Sequence, residues 1–277
     1  MRVVITGASS GIGAALARYH AARGATLALI ARREKELREL AGVLPSLTSP
    51  EGAAPRAFTY ALDVTDAGAM RQAAQDFVDR AGAPDLVIAN AGISVGTLTQ
   101  EASDLPVFER IMAVNVLGLV NTFAPFIAPM REAGGGTLAG IASVAGIRGL
   151  PGAGAYSASK AAAIAYLEAL RGELRGSGIR VATVLPGYVE TPMTAHNPYP
   201  MPFILPVDEA ARRIARVIDA GKSYAVVPWQ MAVVAKLLRL LPNRVFDAAL
   251  AGRGRKPRGT GSADPDKRDQ LPDSQTR

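Results

Sequence analysis

The chain has 277 residues, of which 49% are hydrophobic and 20% charged, a balance that suits one sizeable globular domain. It contains no cysteine, which excludes disulfides, thiol catalysis and thiolate metal sites. The formal net charge is +7, but residues 252–277 alone hold seven Lys/Arg against four acids, so the body is only mildly basic and a nucleic-acid partner is not expected.

Residues 1–13 (MRVVITGASSGIG) carry one charge and too short an apolar run for a signal peptide; they read as a strand that begins at once. No stretch reaches roughly 20 uninterrupted apolar residues, so a cytoplasmic protein is expected. Strand-like runs follow at 2–6, 26–31, 56–61, 85–90, 137–142, 179–185 and 223–227. Helical patterns lie between them at 11–23, 33–44, 67–81, 106–132, 154–176 and 207–220. The alternation predicts parallel strands joined by right-handed crossovers: a Rossmann-type, doubly wound sheet of about seven strands with helices on both faces. One domain is expected over 1–251. The tail 252–277 has almost no apolar content and is expected to be disordered.

The first strand runs into Gly7, Ser9, Ser10, Gly11, Ile12 and Gly13 and then into a helix. Glycines are needed where a tight turn brings N–H groups at a helix start against a pyrophosphate, although the spacing is GxxxGxG rather than GxGxxG. A merely tight strand-to-helix turn is the alternative. The second strand ends in Arg32 and Arg33, with no carboxylate before Glu34. Guanidinium forks suit a ribose 2′-phosphate, so NADP(H) is favoured over NAD(H), mainly on Arg32; Arg33 reads equally as a solvated helix start. Asp63 and Val64 follow the third strand, and Asn90, Ala91 and Gly92 end the fourth, at the edge where parallel sheets bind ligands. Asp63 is a candidate acceptor for an adenine amino group, and Asp66 competes with it as a helix N-cap.

Ser143 closes the fifth strand, and Tyr156 and Lys160 stand four apart in an alanine-rich helical pattern, so they share a face. A tyrosine near its ordinary pKa of about 10 is a poor base at neutral pH, and a nearby ammonium lowers that value. Such a pair alone is common surface decoration; its company gives it meaning. Taken together, TGASSGIG at 6–13, NAG at 90–92, Asn115, Ser143, Tyr156-x-x-x-Lys160 and Pro186-Gly187 resemble the short-chain dehydrogenase/reductases from residue 1 to about 191.

The resemblance implies hydride transfer between a nicotinamide cofactor and a carbonyl or alcohol. Tyr156 would be the acid/base, Ser143 would orient the substrate oxygen, and Lys160 would also grip the nicotinamide ribose. Asn115 would sit at a helix distortion and hold a water linking Lys160 to solvent. Pro186, Gly187, Val189 and Thr191 match the segment that contacts the carboxamide. A homodimer or homotetramer is implied as well. Ala89 departs from the asparagine that many members carry there.

The proline-rich loop 193–206 is expected to cover substrate, with Met193, Tyr199, Met201, Phe203 and Ile204 as an apolar wall that favours a hydrophobic substrate. His196 within it is a less favoured second acid/base. Helices over 229–251 are unusually apolar; Ala232, Lys236, Arg239 and Asn243 make one narrow stripe, and the rest must bury most of the circumference. Core or subunit packing is one reading. Peripheral membrane contact through 229–258 is the other.

Overall fold

The computed structural model describes residues 1–47, 55–195, 197–252 and 254–258. Seven parallel strands form one sheet: β1 (Arg2–Thr6), β2 (Thr26–Ala31), β3 (Arg56–Ala61), β4 (Leu86–Ala89), β5 (Gly136–Ile141), β6 (Ile179–Pro186) and β7 (Tyr224–Val227). Their order is β3-β2-β1-β4-β5-β6-β7. Successive side chains leave a strand on opposite faces, so both layers are built from the same short runs. Val3 and Ile5 join a cluster with Leu16, Leu37 and Ile214, while Val4 joins Phe77, Phe123, Phe126 and Leu167 on the other side.

The first layer holds α1 (Gly11–Ala21), α2 (Glu34–Val43) and α7 (Val207–Asp219); the second holds α3 (Ala67–Ala81), α4 (Leu105–Met112), α5 (Gly118–Glu132) and α6 (Gly154–Glu173). Asp66 caps α3, its Oδ1 accepting from the Gly68 and Ala69 N–H groups at 2.9 Å each, which leaves Asp63 for other work. The helix expected over 106–132 is broken. Residues Ala113–Leu117 form a π turn in which the Gly118 N–H donates to Ala113 O, five residues back. By length and apolarity the run Ala102–Glu132 would also cross a membrane, but its Phe123, Phe126 and Met130 are fully buried against the sheet.

Crossovers wind one way from β1 to β3 and the other way from β4 onward, so the loops after β1 and β4 part and leave a crevice at the carboxyl edge. The apolar C-terminal region is two helices, α8 (Trp229–Leu240) and α9 (Asn243–Leu250). Met231 and Ala235 are buried, but Trp229, Val233, Leu237 and Leu240 lie exposed along one face of α8. Of the tail expected to be disordered, Gly252 and residues 254–258 are described, and residues 256–258 hydrogen-bond to the body of the protein. Residues 253 and 259–277 lie outside the described residues.

Candidate active site

The crevice is a cleft of about 590 Å³. One end is the turn from β1 to α1. Gly7 and Gly11 adopt φ of +67° and +54°, and a Cβ on Gly13 would stand 2.2 Å from Gly7 O. No side chain caps α1 at Ser10, and Gly11 and Ile12 line the cleft, so the helix start is open to an anion. The residues fit a pyrophosphate.

Asn90 braces this turn: its Nδ2 donates to Thr6 O at 3.0 Å and to Gly7 O at 3.3 Å. Thr6 Oγ1 in turn accepts from the Asn90 and Ala91 N–H groups. Thr6 is a positioning residue that the sequence reading passed over.

Arg32 and Arg33 line the same end. Arg33, the less favoured of the two in sequence, reaches back over the glycine turn, its Nη2 donating to Ser10 Oγ at 2.7 Å and to Ser9 Oγ at 3.1 Å. Arg32 Nη1 lies 4.0 Å from Asp63 Oδ2. Asp63 also takes an ion pair from Arg110 and accepts from the Thr65 N–H and hydroxyl. Burial pushes the Asp63 carboxyl up, and the Thr65 and Arg110 donors outweigh that and hold it below its ordinary range. Val64 is buried beside Asp63 and meets α5 where Gly118 has no side chain: a Cβ there would come within 2.5 Å of Val64 Cγ2.

The other end gathers Ser143, Tyr156 and Lys160. Ser143 lies just past the end of β5, and its Oγ accepts from the Ala145 N–H at 3.1 Å. Lys160 is buried; its Nζ donates to Ile141 O at 2.9 Å and lies 5.8 Å from the centroid of the Tyr156 ring.

The electrostatics correct the sequence expectation. Burial pushes the Tyr156 phenol up, and the Ser143 side chain opposes that rise without cancelling it. Burial also holds Lys160 down to about 8. Desolvation therefore acts on both partners.

Asn115, inside the π turn, commits its amide to protein. Oδ1 accepts from the Ile93 N–H at 2.8 Å, and Nδ2 donates to Ile93 O at 3.0 Å and Ser159 Oγ at 2.9 Å. Ser159 then donates to Tyr156 O at 2.8 Å, so Asn115 ties the loop after β4 to α6. Gly92 passes close by; a Cβ on it would stand 3.2 Å from Asn115 Oδ1 and 3.5 Å from Lys160 Nζ. Pro186, Gly187, Val189 and Thr191 line the cleft from the third side. The Gly187 N–H donates to Val227 O at 2.8 Å, and Met231 of α8 fills the space that a Cβ on Gly187 would occupy.

The expected apolar wall is mostly elsewhere. Of the five residues named for it only Met193 lines the cleft, joined by Pro192, Thr194 and Asn197. Backbone pairing between Val189 and Leu205 pinches the loop at its base; Phe203 is exposed and Tyr199 faces Tyr188 at 6.4 Å between ring centroids. His196 lies outside the described residues. Lys256 and Pro257, from the tail, line the cleft instead.

Residues 1–200 match the family model for short chain dehydrogenase. An uncharacterized oxidoreductase of Myxococcus xanthus (strain DK1622) is 38% identical over 249 residues, 89% of this chain and 94% of the relative. The alcohol dehydrogenase of the archaeon Thermococcus sibiricus, solved in complex with 5-hydroxy-NADP, is similar with a TM-score of 0.71 at 29% identity, over 82% of this chain and 95% of that one. A short chain dehydrogenase/reductase of Burkholderia phymatum, solved with NAD, shares the fold with a TM-score of 0.75 at 24% identity, over 94% of this chain and 97% of its own.

Proposed function

This chain belongs to the short-chain dehydrogenase family, and from that premise we propose that it is an NADPH-preferring oxidoreductase that interconverts a carbonyl and a primary or secondary alcohol on a hydrophobic substrate. The observation that carries this reading is the joining, in one cleft, of Ser143, Tyr156 and Lys160 to an uncapped helix start and the Arg32–Arg33 pair. When bound, a nicotinamide supplies or takes up the hydride.

The chain's own residues do the rest. Tyr156 gives its proton to the carbonyl oxygen in reduction and takes one from the alcohol in oxidation. A phenol pushed up by burial keeps its proton at neutral pH, which suits the reductive direction. The Ser143 hydroxyl, in the same cleft as Tyr156, orients the reacting oxygen. Lys160 would hold the nicotinamide ribose hydroxyls, and in its ammonium form it stabilises a phenolate beside it. Asn115 positions this group by clamping Ile93 and Ser159. Gly7, Ser9, Ser10, Gly11 and Ile12 would hold the pyrophosphate and Thr191 and its neighbours the carboxamide. Arg33 over the glycine turn, with Arg32 beside it, supports a 2′-phosphate.

The test follows absorbance as NADPH or NADH is oxidised with a panel of ketones and aldehydes. NADPH is expected to give the higher kcat/KM, and Tyr156→Phe to lose about a hundredfold or more in kcat. Faster turnover with NADH would overturn the cofactor assignment, and full activity in Tyr156→Phe the catalytic one.

The same reading takes 1–251 as one catalytic domain of a cytoplasmic homodimer or homotetramer. We also infer that α8 makes a peripheral contact with an anionic lipid surface. Trp229, Val233, Leu237 and Leu240 form an exposed apolar stripe, with exposed Lys236 and Arg244 near it.

A further inference from the structure

Residues 254–258 cross the mouth of the cleft as a strap, and Lys256 and Pro257 are among the residues that line it. The strap meets three loops. A Cβ on Gly254 would stand 3.3 Å from Pro198 O, on the loop after β6. Arg255 packs against Gly152, on the loop before α6, where a Cβ would come within 2.9 Å of its own. Lys256 reaches the loop after β4, its Nζ donating to Ser94 Oγ at 2.8 Å, and again the loop after β6, at 3.4 Å from Met193 O. The strap therefore bridges the loops that flank the substrate end.

Its seat is built to receive it. The Gly96 N–H donates to Pro257 O at 3.0 Å, and Gly96 and Arg258 form a parallel β-bridge. The approach requires glycine at 96, since a Cβ there would stand 2.1 Å from Lys256 O. Arg258 anchors the end of the strap. Its Nε donates to Asp104 Oδ2 at 2.9 Å and its Nη2 to Asp104 Oδ1 at 3.1 Å, a fork on both carboxylate oxygens, with Glu101 Oε2 at 3.2 Å and Ser103 Oγ at 3.3 Å beside it. Asp104 is buried and also accepts from the Leu98 N–H at 2.8 Å. Arg258 first, and that N–H second, hold its carboxyl below the ordinary range. A forked pair on a buried carboxylate holds far better than an exposed ion pair.

We propose that the strap is the outer wall of the substrate end, so that the preferred substrate is a compact apolar carbonyl or alcohol, and that Arg258 sets this limit by holding the strap on Asp104. A short substrate fits between Tyr156 and the strap; a longer one enters only by displacing residues 256 and 257. Arg258 does not line the cleft and acts through the strap, as a positioning residue. The identity of the reacting group rests on the oxidoreductase reading; the enclosure does not.

The clasp is tested first, on the full-length protein. Exchange of the Gly96 amide hydrogen, read by NMR, is expected to quicken at least about tenfold in Arg258→Gln and to return close to the wild-type rate in Arg258→Lys. An unchanged rate in Arg258→Gln would show that Arg258 does not hold the strap.

Selectivity is then read from NADPH oxidation with acetophenone and 4-phenylacetophenone, which share a reacting ketone and differ in length. The wild type is expected to favour acetophenone at least about tenfold in kcat/KM. Arg258→Gln, and Gly96→Ala as a wedge under the strap, are expected to lower KM for the longer ketone about tenfold and to leave acetophenone within about twofold. Equal use of both ketones by the wild type, or a parallel change in both on releasing the strap, would overturn the proposal. No turnover of any carbonyl by the wild type would sink the oxidoreductase reading instead. Saturation-transfer NMR then judges the enclosure: 4-phenylacetophenone is expected to contact both variants more than the wild type, and equal signals in all three, strong or absent, would overturn it.

Discussion

Lys160 is buried below the cleft, with Nζ 2.9 Å from Ile141 O, and its pKa is held down to about 8 by that burial. Its folded value lies below that of the unfolded chain, so at neutral pH the folded protein carries a charge it would rather lose. The penalty, about 3 kcal/mol, is full below pH 8 and fades as pH rises toward the ordinary lysine value. Lys160→Met is expected to melt higher than wild type at pH 7 while losing turnover, and the two melting curves should converge near pH 10. An unchanged melting temperature at pH 7 would show that the ammonium costs nothing. At this scale the sequence was informative where chemistry and spacing coincide: Tyr156 and Lys160 are one helical turn apart and Ser143 ends a strand. Arg110 on Asp63, 47 residues away, and Ser159 under Asn115, 44 away, left no local trace, because an arginine or serine on a helix has many ordinary uses.

The strands and most helices were legible as elements because both faces of the sheet are covered, which makes the strands continuous apolar runs and the helices amphipathic. Two features were not. The π turn leaves hydrophobic periodicity nearly intact, so Ala102–Glu132 reads as one helix. The loop after β6 turns on a pairing between Val189 and Leu205, which composition cannot reveal. Helix α8 was legible as an apolar helix, and in the single chain its Trp229, Val233, Leu237 and Leu240 are exposed. That stripe carries a prediction of its own: the protein should sediment with vesicles containing phosphatidylglycerol and stay in solution with neutral ones, and Leu237→Glu should abolish sedimentation. Self-association lost in Leu237→Glu, with no vesicle binding, would make the stripe a subunit contact.

The molecule as a whole has a pH response set by buried groups in different layers. His20 of α1 is buried and its Nε2 has no hydrogen-bond partner among the described residues; burial first, and Arg23 second, hold it down to about 4. Stability is therefore complete above the ordinary histidine value and falls as pH drops from about 6.5 toward 4, by up to about 3 kcal/mol. Urea midpoints measured across that range should decline in the wild type and stay nearly flat in His20→Gln; parallel declines would mean that other groups govern the transition. Asp85, resisting its burial through Arg2, contributes its own loss only as pH falls through the carboxylate range.

The contacts of residues 256–258 with the body of the protein bear on folding order. Lys256 and Ser94 are 162 residues apart, and Arg258 and Asp104 are 154 apart. Closing loops of that length comes late, because the entropy of bringing the ends together must be met before the contacts reward it. Strand β1, the first to be synthesised, likewise waits some 80 residues for β4, one of its two neighbours. In a chain emerging from the ribosome, the contacts of residues 256–258 are expected to form last. The same contacts should be the first to open in native-state hydrogen exchange, leaving a cleft that holds its cofactor while it exchanges what it acts upon.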